Sequence, residues 1–139
     1  MLAMLFGLGV GLNYVWELAQ SPLYTGIPTD MSAWWHCFVA GIGDGVMIVI
    51  IQLFGWLRFG RIDWFANPDK KKYALMLGTG LILALTVELV AIHALHRWSY
   101  APDMPLVPGL RIGLVPLVQM LVLPPIAFWL TARSMQRRT

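Results

Sequence analysis

Three carboxylic acids lie within stretches of sequence that are otherwise almost entirely apolar: Glu17, Asp44 and Glu88. A charged side chain at the centre of a transmembrane helix costs on the order of 2.5–3.5 kcal/mol, so each acid must be paired, protonated or hydrated. A neutral carboxylic acid can donate a proton, and an ionised carboxylate nearby can stabilise a developing cation. The sequence therefore predicts general acid–base chemistry, and a purely structural hydrogen-bonded pair between helices is the alternative.

Other polar and aromatic residues are predicted to lie near these acids. Asn13 lies one helical turn before Glu17 and on the same face. Aromatic rings add faces that attract cations by roughly 0.5–2 kcal/mol each. The predicted catalytic residues are Glu17 and Asp44, as acid and cation stabiliser, with Glu88 and His93 as proton-handling partners. The predicted substrate-binding residues are Asn13, Trp16, His36, Arg97, Trp98, Tyr100 and Gln119.

Four apolar stretches are long enough to position these residues, since crossing a hydrocarbon core takes roughly 20 helical residues. The predicted spans are about 1–19, 34–57, 73–95 and 110–132. Of the 139 residues, 58% are hydrophobic and only 12% charged, about half the charged share of a soluble domain. This composition excludes a secreted mini-domain, a nucleic-acid-binding module and a disordered tail. The sequence predicts an all-α integral membrane protein, one four-transmembrane-helix bundle over residues 1–139.

The distribution of basic residues predicts how the bundle is oriented. Eight of the ten Lys and Arg residues lie in the loop between spans two and three or in the tail, and only Arg97 and Arg111 lie on the other side. Both termini are therefore predicted to be cytoplasmic, in a multi-pass protein of the cell membrane, the inner membrane if bacterial. At 1.5 Å per residue all three acids fall in the outer half. We expect a polar pocket there, because Thr79 is almost the only polar residue in the inner half.

Prolines and tryptophans add further expectations. Pro116, Pro124 and Pro125 predict either kinked packing or a widened cavity in span four. The loop 99–109 contains three prolines with apolar residues between them, and we expect it to form a lid over the pocket or a rigid connector. The tryptophans are expected at the membrane interfaces, with Trp64 at the inner one.

The segment Asn13-Tyr14-Val15-Trp16-Glu17 resembles the Asn-x-x-Trp-Glu element of the transmembrane terpene cyclases of fungal meroterpenoid and indole-diterpene pathways. The resemblance implies that Glu17 helps to protonate the substrate, together with an acid on another helix. The stretch from Glu88 to Tyr100 is similar to the Glu…Trp-x-Tyr stretch of membrane carotenoid cyclases and hydratases. Because those families have more transmembrane helices, the resemblance implies a reduced version or a homo-oligomer.

The predicted function is thus an integral-membrane enzyme that cyclises, isomerises or hydrates an isoprenoid or lipidic substrate without a cofactor. A second interpretation is a haem- or metal-binding subunit of a redox complex, with ligands from His36, His93 and His96. A Zn or Fe site of mixed histidine and carboxylate ligands is related to it. A third is a non-catalytic or proton-relaying membrane subunit. The expected partner is a membrane lipid or isoprenoid, and no nucleic acid.

Overall fold

The computed structural model describes residues 1–27 and 30–137, most of which are helical. Arg138, one of the basic residues of the predicted cytoplasmic side, lies outside these ranges. Four helices are each long and apolar enough to cross a membrane, which confirms the helical part of the predicted architecture. They are α1 (Leu2–Gln20), α2 (Met31–Phe59), α3 (Lys70–Leu89) and α4 (Leu114–Gln136).

The helices form a ring in which α1 contacts α2, α2 contacts α3, α3 contacts α4, and α4 returns to α1. Short elements lie between them: a 3-10 turn (Ser21–Leu23), strand β1 (Tyr24–Thr25), a π-helical turn (Val90–Ala94) that continues α3, and strand β2 (Ser99–Tyr100). We call the end that carries the two strands the β end. The other end, which carries the N-terminus, the loop 60–69 and the end of α4, is the terminal end.

Two helices begin three residues before their predicted starts because an aspartate caps each of them. The Asp30 carboxylate accepts a hydrogen bond from the Ser32 amide at 2.9 Å, and the Asp69 carboxylate accepts one from the Lys72 amide at 3.0 Å. The Ser32 hydroxyl and amide lower the pKa of Asp30, and the Lys72 amide lowers the pKa of Asp69. These bonds satisfy backbone donors that the first helical turn leaves free.

Helix α4 begins four residues later than predicted because the chain before it turns back on itself. The Arg111 amide donates to the Val107 carbonyl at 3.1 Å, with a φ of 53° at Arg111. An isolated bridge then pairs Leu106 with Gly113, the residue that precedes the helix.

Glycines allow the helices to approach closely at several points. A Cβ atom at Gly45 of α2 would lie 2.7 Å from Val10 of α1, and one at Gly80 of α3 would lie 2.6 Å from the Met120 carbonyl oxygen of α4. Since real Cβ atoms essentially never come so close, these two glycines serve helix packing. Gly43 and Gly78 differ, because no described heavy atom lies within 4 Å of a Cβ atom built on either.

At the terminal end, aromatic side chains form the core. The position of Trp64 at the inner interface stays a prediction, but its side chain is 1% exposed and packs against Phe59, Phe65 and Phe128. The reason is that Gly60 ends α2 in the left-handed region, with a φ of 68°, and the chain returns towards the bundle. The Trp64 indole then donates to the Gln52 carbonyl oxygen at 3.2 Å.

Polar residues are also buried towards this end, contrary to expectation. Gln52 is 1% exposed and donates to the Ile62 carbonyl at 2.6 Å. Thr131 is fully buried and donates to the Ala127 carbonyl at 2.8 Å. The Gln52 amide nitrogen and the Thr131 hydroxyl thus donate to nearby backbone oxygens, whereas the buried Gln52 Oε1 has no partner among the described residues.

At the β end, the two long loops are tied together by an antiparallel strand pair that the all-α prediction lacks. Tyr24 pairs with Tyr100, the Thr25 and Ser99 hydroxyls are hydrogen-bonded to each other, and the Ala101 amide donates to the Leu23 carbonyl at 2.8 Å. Met104 in the second loop is 4% exposed. Met104 therefore anchors the loop 99–109 to the bundle, although most of the other residues of this loop are exposed.

Candidate functional site

A cavity of about 260 Å³ lies between the four helices, in the half of the bundle nearer the β end. Predicted site residues in its wall are Glu17, His36, Asp44, Glu88, Trp98 and Gln119. Apolar residues of the wall include Ile27, Ala40, Met47, Ala84, Val87 and Met120. The three acids of separate helices thus contribute to one mainly apolar cavity.

Gln119 of α4 connects residues of α1 and α2. Its amide nitrogen lies 2.8 Å from Asp44 Oδ2, 3.1 Å from Glu17 Oε1 and 2.8 Å from Asn13 Oδ1. The side chain is 2% exposed, and Asn13 is fully buried. A carboxamide has two N–H groups, so these three oxygens must share two protons. Asn13 itself donates to the Gly9 carbonyl at 2.7 Å, which fixes its oxygen towards Gln119.

The carboxyl groups of Glu17 and Asp44 lie close together, because one oxygen of each is within 3.1 Å of the same Gln119 nitrogen. An ionised carboxylate has no donor and can only accept hydrogen bonds. Two ionised carboxylates at this separation would repel each other, which favours a state in which one of the two keeps its proton. Two acids that share a proton in apolar surroundings form a proton donor and a carboxylate side by side.

Gln20 belongs to the same network, although it was not among the predicted site residues. It donates to Glu17 Oε1 at 2.7 Å and to Gln119 Oε1 at 3.1 Å, and it accepts from the Trp16 indole at 3.1 Å. Trp16 thus contributes to the site indirectly, because its indole nitrogen donates a hydrogen bond to Gln20. The spacing of three residues from Glu17 places Gln20 on the same helix face. That signal was available, but the predicted span ended at residue 19 and left Gln20 in a loop.

Glu88 of α3 has separate partners in the loop that follows. The Tyr100 hydroxyl donates to Glu88 Oε2. Burial, reinforced by the hydrogen bond to Glu88, raises the pKa of Tyr100, so its hydroxyl remains a proton donor. The Trp98 indole nitrogen is buried near both groups but has no hydrogen-bond partner of acceptable geometry within the described chain. This nitrogen has almost no accessible surface, so it does not face the cavity directly.

Tyr24 closes the cavity at the β end. Its ring lies 5.6 Å from the Tyr100 ring and 6.4 Å from the Trp98 ring, centroid to centroid. Burial raises the pKa of Tyr24, and the Glu88 carboxylate adds to this effect. The strand pair holds these aromatic side chains together, but the wall includes Trp98 and no residue of the loop 99–109, so the expected lid stays a prediction.

The structure does not bring every predicted residue to the cavity. His93, which was expected to exchange protons with Glu88, is exposed, and its Nε2 atom lies 3.1 Å from the Leu110 carbonyl oxygen. His93 belongs to the π-helical turn Val90–Ala94, which changes the rotation per residue after α3, and it lies outside the cavity wall, whereas Glu88 is part of it. Arg97 and His96 are exposed, and neither lies in the cavity wall.

The three histidines proposed as haem or metal ligands are therefore not assembled. His36 is at the cavity wall, while His93 and His96 lie outside it. Within residues 1–27 and 30–137, no group of three or more His, Cys, Asp or Glu residues is placed to hold a metal ion.

Comparison with protein-family models, with curated proteins and with solved structures found no match to this chain. The resemblance of Asn13, Trp16 and Glu17 to the terpene cyclase element stays a prediction. In the structure, Asn13, Trp16 and Glu17 share one hydrogen-bond network with Asp44, through Gln20 and Gln119.

Because Gln119 holds this network together, Gln119→Leu is expected to lower the free energy of unfolding by about 1–3 kcal/mol, the cost of a buried polar group left without a partner. Equilibrium unfolding in a detergent titration measures this change. Val118→Leu, on the exposed side of the same helix, is the control and should change stability by less than about 0.5 kcal/mol. Equal stability of both variants would contradict a bridging role for Gln119.

Proposed function

We propose that this chain is an integral membrane enzyme that transfers a proton to a double bond of an isoprenoid or similar lipidic molecule bound in the cavity. One observation carries the proposal: the carboxyl groups of Glu17 and Asp44 are held together by Gln119 at the wall of a mainly apolar cavity. A general acid must be placed within reach of the substrate and kept protonated, and such a pair in apolar surroundings supplies both conditions.

The proposed setting is a bilayer that surrounds the four apolar helices. Many large apolar side chains on the outer faces are exposed, among them Val15, Ile82 and Trp129, and lipid would cover them. Basic residues are concentrated at the terminal end, so both termini are proposed to be cytoplasmic. The cavity then lies in the outer half of the membrane.

The chemistry follows from the two groups of acids. The Glu17–Asp44 pair delivers its proton to one carbon of the double bond, which forms a C–H bond and leaves a cation on the other carbon. The remaining carboxylate stabilises that cation, and the rings of Trp98 and Tyr24 attract it through their faces. Loss of a proton from a neighbouring carbon to the Glu88 carboxylate gives an isomer. If a second double bond of the substrate first attacks the cation and forms a C–C bond, the same loss of a proton gives a ring. Addition of water followed by loss of a proton gives an alcohol.

All of these outcomes place a solvent-derived proton on carbon, which gives a test. The purified protein is incubated in vesicles of a total lipid extract, supplemented with geranylgeraniol, squalene and phytoene, in D₂O. We expect protein-dependent incorporation of deuterium into a C–H bond of at least one lipid, detected by mass spectrometry after back-exchange in H₂O. Vesicles without protein are the control. Incorporation equal to that control for every lipid would refute the proposed function.

A further inference from the structure

The exposed rim of the cavity belongs to two helices. Among the described residues of its wall, three are exposed to the outside of the bundle, namely His36, Gly43 and Val87. They lie on α2 and α3, whereas the wall residues of α1 and α4 are buried or half-buried. Of the neighbouring helix pairs, α2 and α3 contact each other least. The cavity therefore opens sideways, between α2 and α3.

Side chains of the described residues obstruct both ends of the cavity. At the β end, Tyr24 and Trp98 meet edge to face across the strand pair. Towards the terminal end, Ala84 is 3% exposed and Met120 is 2% exposed. Because these side chains obstruct the bundle axis among the described residues, we infer that a ligand enters through the lateral opening.

The surroundings of the lateral opening are apolar. Val39 and Val46 lie four residues before and three residues after Gly43, hence on the same face of α2, and they are 49% and 46% exposed. Val90 lies three residues after Val87 and is 44% exposed. Such a rim suits the hydrocarbon part of a ligand and would be covered by lipid tails.

The size of the cavity limits what can enter completely. Pockets that enclose small-molecule ligands usually have volumes of about 300–1,000 Å³, and this one measures about 260 Å³. A long-chain molecule would fill it with one end and leave the rest of its chain outside. The side chains of Glu17, Asp44 and Gln119 in the wall can hydrogen-bond with a hydroxyl group, which favours an end that carries an oxygen atom.

We propose that the occupant is a single-chain lipid whose oxygen-bearing end enters the cavity from the bilayer, between α2 and α3, while its chain remains along the valine rim outside. This deepens the proposed function and rests on it, because the reacting double bond must then lie near the polar end. Gly43 is the residue that keeps the opening free, since a side chain there would project into open space among the described atoms.

Photo-crosslinking in phosphatidylcholine vesicles tests this arrangement without requiring turnover. Two hexadecanol probes are used, one with a diazirine next to the hydroxyl group and one with a diazirine at the far end of the chain. The first is expected to label cavity residues such as Met47 and Met120, and the second to label Val46 and Val90. An alkane with the diazirine at one end should label Met120 less than the first alcohol does. Equal labelling of Met120 by the alkane and by the first alcohol would contradict the claim that the polar end of the lipid enters the cavity.

Gly43→Leu is the decisive variant, and Gly11→Leu is its matched control. Gly11 is also exposed on a helix and also has no described heavy atom within 4 Å of an added Cβ atom, but it does not line the cavity. Gly43→Leu should reduce labelling of Met120 by the first probe by about tenfold, a loss of about 1.4 kcal/mol in binding, while Gly11→Leu leaves it unchanged. Undiminished labelling in Gly43→Leu would overturn the lateral route. If the labelling pattern holds while deuterium incorporation fails, the proposed chemistry falls and the lateral route stands.

Discussion

Glu17→Gln and Asp44→Asn are each expected to reduce deuterium incorporation into the lipid product by roughly 10²–10⁴-fold, the contribution typical of a positioned general acid. Either change removes the proton that the pair shares. Both variants keep a carbonyl oxygen that can accept the hydrogen bond from Gln119, which lies 2.8–3.1 Å from the two acids. The fold should therefore survive, with a free energy of unfolding within about 1 kcal/mol of the wild type.

Two further variants separate the roles of the acids in the same assay. In Glu88→Gln the Tyr100 hydroxyl can still donate to the side chain, but the base that accepts the final proton is lost. We expect deuterium still to enter the substrate, with a changed ratio of products. His93→Gln is the control, since His93 lies outside the cavity wall. Incorporation within a fewfold of wild type in Glu17→Gln or in Asp44→Asn would contradict the acid-pair mechanism.

Much of the fold could be predicted because it depends on local properties of the sequence. Length and apolar content suffice to identify the helices, and Asp30 and Asp69 are recognisable capping residues. The strand pair could not be predicted in this way. Each strand has only two residues, so its existence depends on how the loops before α2 and after α3 meet. The burial of Trp64 likewise depends on the direction in which the chain leaves Gly60.

The sequence predicts how deep the candidate site residues lie along their helices, but not which way their side chains face around each helix. Counting residues along the helices places Glu17, Asp44 and Glu88 at similar levels, and the structure brings all three to one cavity. Whether a side chain on one helix faces a given neighbour depends on packing that a single sequence does not report. Gln119 was expected among substrate-binding residues, yet its contacts are with the acids themselves.

At the other end of the bundle, Gly55→Ala is expected to destabilise the protein strongly. A Cβ atom at Gly55 would lie 2.0 Å from Trp64 Cε2 and 2.4 Å from its Nε1 atom. Trp64 cannot withdraw, because it is 1% exposed and its ring lies 5.4–5.6 Å from the rings of Phe128 and Phe59. Overpacking of this kind costs about 1–3 kcal/mol and occasionally more, and we expect about 3 kcal/mol because the indole hydrogen bond to Gln52 is lost as well.

Gly78→Ala is the matched control, since it also replaces a helical glycine but no described heavy atom lies within 4 Å of the new methyl group. It should stabilise the protein by about 0.5–1 kcal/mol, because alanine loses less backbone entropy than glycine when a helix forms. The two variants are thus expected to shift the detergent unfolding midpoint in opposite directions. Trp64 packs at the terminal end and lies outside the cavity wall. Gly55→Ala protein that remains folded should therefore incorporate deuterium into lipid at the wild-type rate. Shifts of the same sign and size in both variants would contradict the packing role assigned to Gly55.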